Sequence, residues 1–112
     1  MIYLACPYSH PDAGVREARY RQTCWHAVRL MRAGRLVYSP IVHSHPLAEL
    51  GLPGDWPFWA EHNREMLQAS SRLVVLALDG WQESRGVAAE VEIARELGLP
   101  IRIEAPAEAL CG

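Results

Sequence analysis

The stretch RLVVLALDGWQESRGVAAEVEIAREL, residues 72–97, decides the fold of this chain. Its first part, residues 72–78, is a nearly continuous apolar run, which is typical of a central strand buried on both faces of a parallel sheet. The turn dipeptide Asp79-Gly80 ends this run. Ser84 then offers the side chain of a helix N-cap, so a helix is predicted over residues 85–97. A buried strand that leads through a short loop into a helix indicates an α/β architecture.

The rest of the chain continues this alternation of strands and helices. The order predicts an α/β fold, a flavodoxin/Rossmann-like open parallel sheet of four to five strands with helices on both faces, in a single domain over residues 1–112. The other predicted elements are a strand at 1–5, a helix at 12–32, a strand in 36–41 that ends at Pro40, a loop at 43–55 with one short helical turn, a helix at 56–70, a strand at 100–104 and a short helical tail from Ala105.

The predicted topology also indicates where a ligand binds. Open α/β sheets bind ligands at the carboxyl ends of their strands, at the point where the strand order reverses. In a flavodoxin-like order this crevice lies between the first strand and the strand at residues 72–78. Two loops, Ala5–His10 and Asp79–Gly86, are therefore predicted to meet there.

Length and composition restrict the class of protein. The chain has 112 residues, half of them hydrophobic, and a formal net charge of −2, so binding to a nucleic acid polymer is not expected. The sequence shows neither an apolar run long enough to span a membrane nor a basic, apolar leader, and a cytoplasmic protein without a membrane partner is predicted. Its three cysteines have no zinc or disulfide spacing, and buried free thiols are expected for Cys6 and Cys24.

Glu90 lies within the apolar stripe of the predicted last helix. On a helical wheel of about 100° per residue, it falls near Leu97 and between Val87 and Ile93. A carboxylate on the side of a helix that faces a sheet is costly unless it is paired or opens into a cavity. Gly86 and the small residues after it keep the helix entrance narrow, so that a ligand can approach closely. The pattern fits either a functional carboxylate or a paired structural one.

Three segments carry a resemblance to a known superfamily. They are YLACPYS at 3–9, LVVLALDGWQ at 73–82 and SRGVAAEVEIARELGLPI at 84–101. The chain resembles the nucleoside 2-deoxyribosyltransferase superfamily, which includes the 2′-deoxynucleoside 5′-monophosphate N-glycosidases, and more specifically its small DUF1937 branch. The most specific part is the spacing Ser84-x-Gly86-Val87-x-x-Glu90 after a buried strand.

The resemblance implies an enzyme that acts on a small nucleoside or nucleotide. The matching glutamate, Glu90, attacks C1′ of the sugar and forms a covalent glycosyl-enzyme, which water or a second base resolves, as in a hydrolase or a transferase. Ser84 matches the serine that contacts the 5′-phosphate in the glycosidases, although it can equally be only an N-cap. Ala5, Tyr8 and Gly86 match positions around the substrate. The resemblance implies no metal or organic cofactor, and a homo-oligomer with a shared active site.

Asn63 departs from the family pattern. Its position usually holds an aspartate that binds the sugar hydroxyls or assists the base, whereas asparagine can form hydrogen bonds but cannot act as an acid. Asp79 or Glu83 in the loop can supply the missing acid. The alternatives that remain are a non-catalytic nucleotide-binding module, and a structural protein with an empty crevice in which Glu90 is tied to Arg85 or Arg102.

Other clusters have weaker implications. In an extended segment His43 and His45 would share one face, but a His-x-His pair without a third ligand is weak evidence for a metal, and none is predicted. Tyr3 is predicted near the substrate or in the core. Trp56 and Trp59 either stack on a base, form a subunit interface or seal the core. Arg16 and Arg19 lie near the predicted crevice, where arginines contact either phosphate or solvent.

Overall fold

The protein is described by a computed structural model that covers residues 1–106. Within them, four strands form one parallel sheet, and the predicted fold class is confirmed. The predicted helical tail and Cys111 lie outside the described residues. The strands are β1 (Ile2–Ala5), β2 (Val37–Tyr38), β3 (Arg72–Leu76) and β4 (Ile101–Glu104), in the spatial order β2-β1-β3-β4.

The alternation of side chains in the two central strands builds a core on each face of the sheet. In β3, Leu73 and Val75 point to one face, and Val74 and Leu76 point to the other. β1 alternates in the same way, with Tyr3 beside Leu73 in the register of the two strands. Both central strands are buried on both sides, which explains why they are recognisable as apolar runs.

Four α-helices cover the sheet: α1 (Ala13–Arg32), α2 (Pro40–Glu49), α3 (Trp56–Gln68) and α4 (Arg85–Glu96). α1 packs beside α2, and α3 packs beside α4. Ala27 of α1 lies in the core on one face of the sheet, whereas Leu67 of α3 and Val87 of α4 lie in the core on the other. The sheet is thus the middle layer of a three-layer structure.

The prediction of a loop with one short helical turn over residues 43–55 is wrong for residues 43–49, because Pro40–Glu49 forms a helix of 10 residues, whereas residues 50–55 do form a loop. The Ser39 hydroxyl caps this helix by accepting a hydrogen bond from the Val42 N–H at 3.2 Å, and Pro40 occupies the first turn, where its missing N–H costs nothing. Pro46 in the helix interior removes one N–H donor, which is why the segment has the appearance of a loop in the sequence. The second strand is correspondingly shorter than predicted.

β1 and β3 are neighbours at the point where the strand order reverses. The chain leaves β1 towards α1 on one face, and after β3 it continues through a short 3₁₀ helix, Trp81–Glu83, into α4 on the other face. The two connections diverge at the carboxyl ends of adjacent strands, which is the usual place for a ligand crevice. Among residues 1–106, no helix is long and apolar enough to cross a membrane.

Leu67 provides a test of the core between the sheet and the helices α3 and α4. Its side chain is fully buried, so Leu67→Ala is expected to lower the free energy of unfolding by about 2–5 kcal/mol through lost apolar burial and an unfilled cavity. Leu36→Ala is the matched control, because Leu36 is 73% exposed, and it should change stability by no more than about 0.5 kcal/mol. Urea unfolding measures both, and equal effects would contradict the packing described.

Candidate active site

A cavity of about 530 Å³ opens at the carboxyl ends of β1 and β3. The loop that follows β1 and the loop that follows β3 form two of its walls, and α2 and the start of α3 form the others. Its volume falls within the range of small-molecule sites, about 300–1,000 Å³. The two loops predicted to meet at the point where the strand order reverses therefore do line one cavity.

The carboxyl group of Glu90 faces this cavity from the second turn of α4. The residue is only 4% exposed, and Oε2 accepts a hydrogen bond from the hydroxyl of Tyr3, which is fully buried on β1. Arg85 is exposed at the rim, and Arg102 pairs with Glu104 at 3.4 Å. The alternative in which an arginine ties Glu90 down is therefore wrong, because its partner is a neutral hydroxyl.

Burial governs the ionisation of this pair. Removal from water raises the pKa of Glu90 to about 8, although the hydrogen bond from Tyr3 favours the ionised form. Burial, together with the charge of Glu90, also raises the pKa of Tyr3 well above its usual range, so the tyrosine keeps its proton and is the donor. Near neutral pH the carboxyl therefore holds its proton much of the time, and a positive charge in the cavity would favour its ionised form.

Ser84 lies at the start of α4 and lines the cavity. Its hydroxyl accepts a hydrogen bond from the Val87 N–H at 3.2 Å, which confirms the predicted N-cap. The same position puts the hydroxyl beside the positive end of the helix dipole, where anions bind favourably. The capping role and the predicted contact with a phosphate are thus compatible.

Asn63 reaches the cavity from α3 and is 4% exposed. Its Oδ1 is buried and has no hydrogen-bond partner among residues 1–106. Leaving a buried carbonyl oxygen without a donor costs about 1–3 kcal/mol. The amide is therefore placed to accept a hydrogen bond from a ligand N–H or O–H.

Arg19 joins the two loops across the crevice. Its Nη1 donates to the Ser9 carbonyl at 3.1 Å and its Nη2 to the Asp79 carbonyl at 3.0 Å. Gly80 adopts a φ of 86°, which favours glycine, and a Cβ there would lie 3.0 Å from Arg19 Nη2, so the guanidinium would have to shift slightly to accept a larger residue. Arg19 also lines the cavity, as its predicted position near the crevice indicated, whereas Arg16 does not line it.

Tyr8 extends the cavity wall towards α2. Its hydroxyl lies 2.6 Å from Nδ1 of His45, whose Nε2 is 3.0 Å from a carboxylate oxygen of Glu17 and 3.0 Å from one of Glu49. Ligand atoms of these last three side chains lie within 4.8 Å of one another, so they could hold a metal ion. His45 Nε2 contacts both carboxylates directly. The prediction that no metal takes part stays a prediction.

His43 and His45 would share a face only in an extended segment, and their segment is helical. Residues two apart on a helix point in nearly opposite directions. His43 stacks on His62 of α3 at a centroid distance of 5.5 Å and packs edge-on against Trp59, whereas His45 faces α1 and Tyr8.

Two tryptophans of α3 form an aromatic part of the wall. Trp59 is buried, and its Nε1 donates to the Pro53 carbonyl at 2.8 Å, which fixes the ring. Trp56 is partly buried and lies beside Gly86 at the start of α4. Both line the cavity, so the structure places them where a planar base could stack as well as in the packing of α3.

Cys6 also lines the cavity, and its thiol contacts the Thr23 hydroxyl at 2.9 Å. Burial raises the pKa of Cys6 to about 12, so the thiol stays protonated and is a poor nucleophile. The expectation of a buried free thiol is confirmed for Cys6, whereas Cys24 is only half-buried. Glu90 is therefore the better-suited nucleophile of the two.

Two residues predicted near the substrate do not reach the cavity wall. Ala5 is the last residue of β1 and packs into the core with Leu67 and Val87. Asp79 is exposed, and it is its backbone carbonyl that takes part by accepting from Arg19. The structure thus brings together Tyr8, Asn63, Ser84, Gly86 and Glu90 around the cavity, with Tyr3 behind Glu90.

Sequence reasoning missed the wall that α2 contributes, which consists of Pro40, Ile41 and Ser44. The pair Ser39-Pro40, a capping hydroxyl followed by a proline, was the signal that could have revealed this helix. Without the helix, these side chains had no predicted direction.

Comparison with known protein families gives a match. The profile of the family described as "Domain of unknown function (DUF1937)" matches residues 1–105, which include every residue of the cavity. None of the curated proteins matches the chain.

The burial of Glu90 predicts a specific dependence of stability on pH. The folded protein holds this proton more tightly than the unfolded chain, so the free energy of unfolding should fall as pH rises from the usual glutamate pKa of 4.5 to about 8. For the wild type this fall in the free energy of unfolding should be on the order of a few kcal/mol. The Glu90→Gln variant lacks the ionisable group, so its free energy of unfolding should not show this fall. Urea unfolding from about pH 5 to about pH 9 measures it. Glu92→Gln, on the exposed side of α4, should behave as the wild type, and parallel curves for all three proteins would exclude a raised pKa.

Proposed function

The chain belongs to the DUF1937 family, and we propose that this member cleaves or transfers the N-glycosidic bond of a small nucleoside or nucleotide through a covalent glycosyl-enzyme on Glu90. The observation that carries the proposal is the carboxyl group itself, which is buried, faces a cavity of ligand size and is oriented by a neutral hydroxyl. The predicted likeness to nucleoside 2-deoxyribosyltransferases, in the spacing Ser84 to Glu90, supports the same chemistry.

A buried carboxylate is chemically suited to this reaction. When the bond from C1′ to the base nitrogen breaks, its electron pair goes to the base and positive charge develops on the sugar. An ionised Glu90 in a site of low dielectric stabilises that charge and then bonds to C1′. In the next step water or a second base attacks C1′, the bond from C1′ to Glu90 breaks and the carboxylate is released, which gives hydrolysis or transfer respectively. The attacking molecule gives up one proton, and a departing base that was neutral in the substrate takes one up from solvent, so the reaction balances.

The other residues of the cavity have complementary roles in this proposal. Ser84, Tyr8 and the guanidinium of Arg19 lie where they can hold a phosphate or the sugar oxygens, and Asn63 offers its free acceptor to a sugar hydroxyl. Trp56 stacks on the base. No metal or organic cofactor takes part in the proposed steps.

We also propose that copies of the chain associate around a shared site. Large apolar side chains are exposed near the cavity, at the end of α2 and the start of α3: Leu50, Leu52 and Phe58. A second copy that covers them would bury apolar surface and close the cavity mouth. A cytoplasmic location stays a prediction.

Asn63 favours a second candidate, a non-catalytic nucleotide-binding module of the same fold. An amide in place of the family's aspartate leaves the binding surface intact but removes an acid. This candidate predicts nucleotide binding without any release of base by the wild-type protein.

Glu90 is expected to be essential for release of the base. Glu90→Gln keeps the shape and the hydrogen bond from Tyr3 but removes the nucleophile, so the rate should fall about a thousandfold or more while binding persists. Chromatography of free base, from a panel of nucleosides and nucleoside monophosphates, measures the rate. Glu92→Gln should retain the full rate. Base release that is equally fast in Glu90→Gln would exclude the proposed nucleophile.

Tyr3→Phe tests the role of the hydroxyl behind Glu90. The hydrogen bond from Tyr3 lowers the pKa of Glu90 against the larger effect of burial, so its loss should shift the rise of activity with pH upward by about one unit and reduce the rate at neutral pH about tenfold. The pH profile of kcat/KM measures this. A uniform loss of activity at all pH values would show that Tyr3 acts only through packing.

A further inference from the structure

The cavity holds a buried carboxyl without a positive partner. Among residues 1–106, no arginine or histidine lies within salt-bridge distance of Glu90, and its hydrogen bond comes from the neutral hydroxyl of Tyr3. A carboxylate in such a place is stabilised strongly by any cation that enters beside it, because both charges are removed from water together. A positively charged ligand would therefore supply the counter-charge that no described residue places within salt-bridge distance of the ionised Glu90, since Arg19 in the cavity wall pairs with backbone carbonyls instead.

The walls near Glu90 suit a flat cation. Trp56 and Trp59 both line the cavity, and Trp56 lies against Gly86, one turn before Glu90 on α4. The faces of indole rings attract cations more strongly than those of other aromatic side chains. A planar ring that carries a positive charge therefore fits between this wall and the carboxylate better than a neutral ring does.

Another buried polar group of the cavity lining is an amide. Asn63 is buried and lines the cavity, and its carbonyl oxygen has no hydrogen-bond partner among residues 1–106. An amide can accept a hydrogen bond from the ligand but cannot supply the proton that a neutral departing base takes up. The other carboxyl groups of the described lining, Asp55 and Glu83, are exposed at the rim.

We propose that the substrate is an N-glycoside whose base is cationic before the bond breaks, such as a pyridinium nucleotide or an N-alkylated purine nucleotide. The inference rests on the proposed function and specifies its substrate class. The cation of the base supplies the missing partner of Glu90, draws it into its ionised form and stacks on the indole wall. Asn63 binds a hydroxyl or amide N–H of the substrate.

The chemistry of such a substrate needs no acid from the protein. The C1′–N bond breaks, its electron pair neutralises the charged nitrogen, and the base leaves as a neutral molecule. The carboxylate of Glu90 bonds to C1′. Water then attacks C1′, the bond from C1′ to Glu90 breaks, and the proton of the water passes to solvent through the cavity mouth, so that one proton is released for each base.

A matched pair of substrates tests this inference. Guanosine and 7-methylguanosine 5′-monophosphates differ by one methyl group and the fixed charge, and both are to be assayed in ribose and 2′-deoxyribose form beside nicotinamide mononucleotide. Each rate is divided by the uncatalysed rate of the same compound, because charged bases depart more readily even without enzyme. We expect the ratio of the enzymatic to the uncatalysed rate to be at least about a hundredfold larger for the methylated, charged nucleotide than for its uncharged partner. This difference should disappear in the Glu90→Gln variant.

The outcomes separate the two proposals. If the uncharged nucleotides are cleaved with an equal or larger enhancement that depends on Glu90, the proposed function stands and the preference for a cationic base is wrong. If no base is released from these compounds, the preference for a cationic base is wrong, and if the wider panel of nucleosides and nucleoside monophosphates gives no free base either, the proposed function falls as well.

Asn63→Asp provides a second, independent measurement. A carboxyl at this position should raise the rate on the uncharged guanosine nucleotide about tenfold or more below neutral pH, with a decrease as pH rises, and should narrow the preference for the methylated partner. A change that only loosened packing would lower both rates together and leave their ratio unchanged. An unchanged ratio in a folded variant would refute the role given to Asn63, and if the variant does not fold, the substrate pair alone decides.

Discussion

The hydrogen bond from the Tyr3 hydroxyl to the Glu90 carboxyl is the interaction on which the site depends. It joins the first strand to the last helix of the described fold, across 87 positions of sequence. Both groups are buried, so separating them would leave a donor and an acceptor without water. The bond therefore holds the carboxyl at one position in the cavity. Burial raises the pKa of Glu90 to about 8, so near neutral pH a small change in its surroundings changes its charge.

The sheet topology produces the space that this carboxyl faces. β1 and β3 are adjacent, but the chain leaves them towards opposite faces, so the helices diverge and a cavity remains between the two loops. Arg19 bridges the loops through the carbonyls of Ser9 and Asp79. The same residue that stabilises the crevice therefore places a positive charge in its wall.

Two features of the cavity reduce the stability of the protein without a ligand. Glu90 is a carboxyl without a counter-charge, and Asn63 carries a buried carbonyl oxygen without a donor among the described residues. Proteins tolerate such groups chiefly at functional sites, where a ligand supplies the missing partners. The two groups define what that ligand must carry, a positive charge and a hydrogen-bond donor.

The sequence by itself determined the alternation of strands and helices, the parallel sheet and the inward turn of Glu90, because these follow from local patterns: the apolar run at 72–78, the Ser84 cap and the helical period. Only the tertiary structure decided that Pro40–Glu49 is a helix, that Tyr3 is the partner of Glu90, and that Arg19 closes the crevice while Ala5 and Asp79 stay out of its wall. Those outcomes depend on contacts between residues far apart in the chain. The pattern of apolar residues within one segment does not indicate which distant side chain will contact that segment.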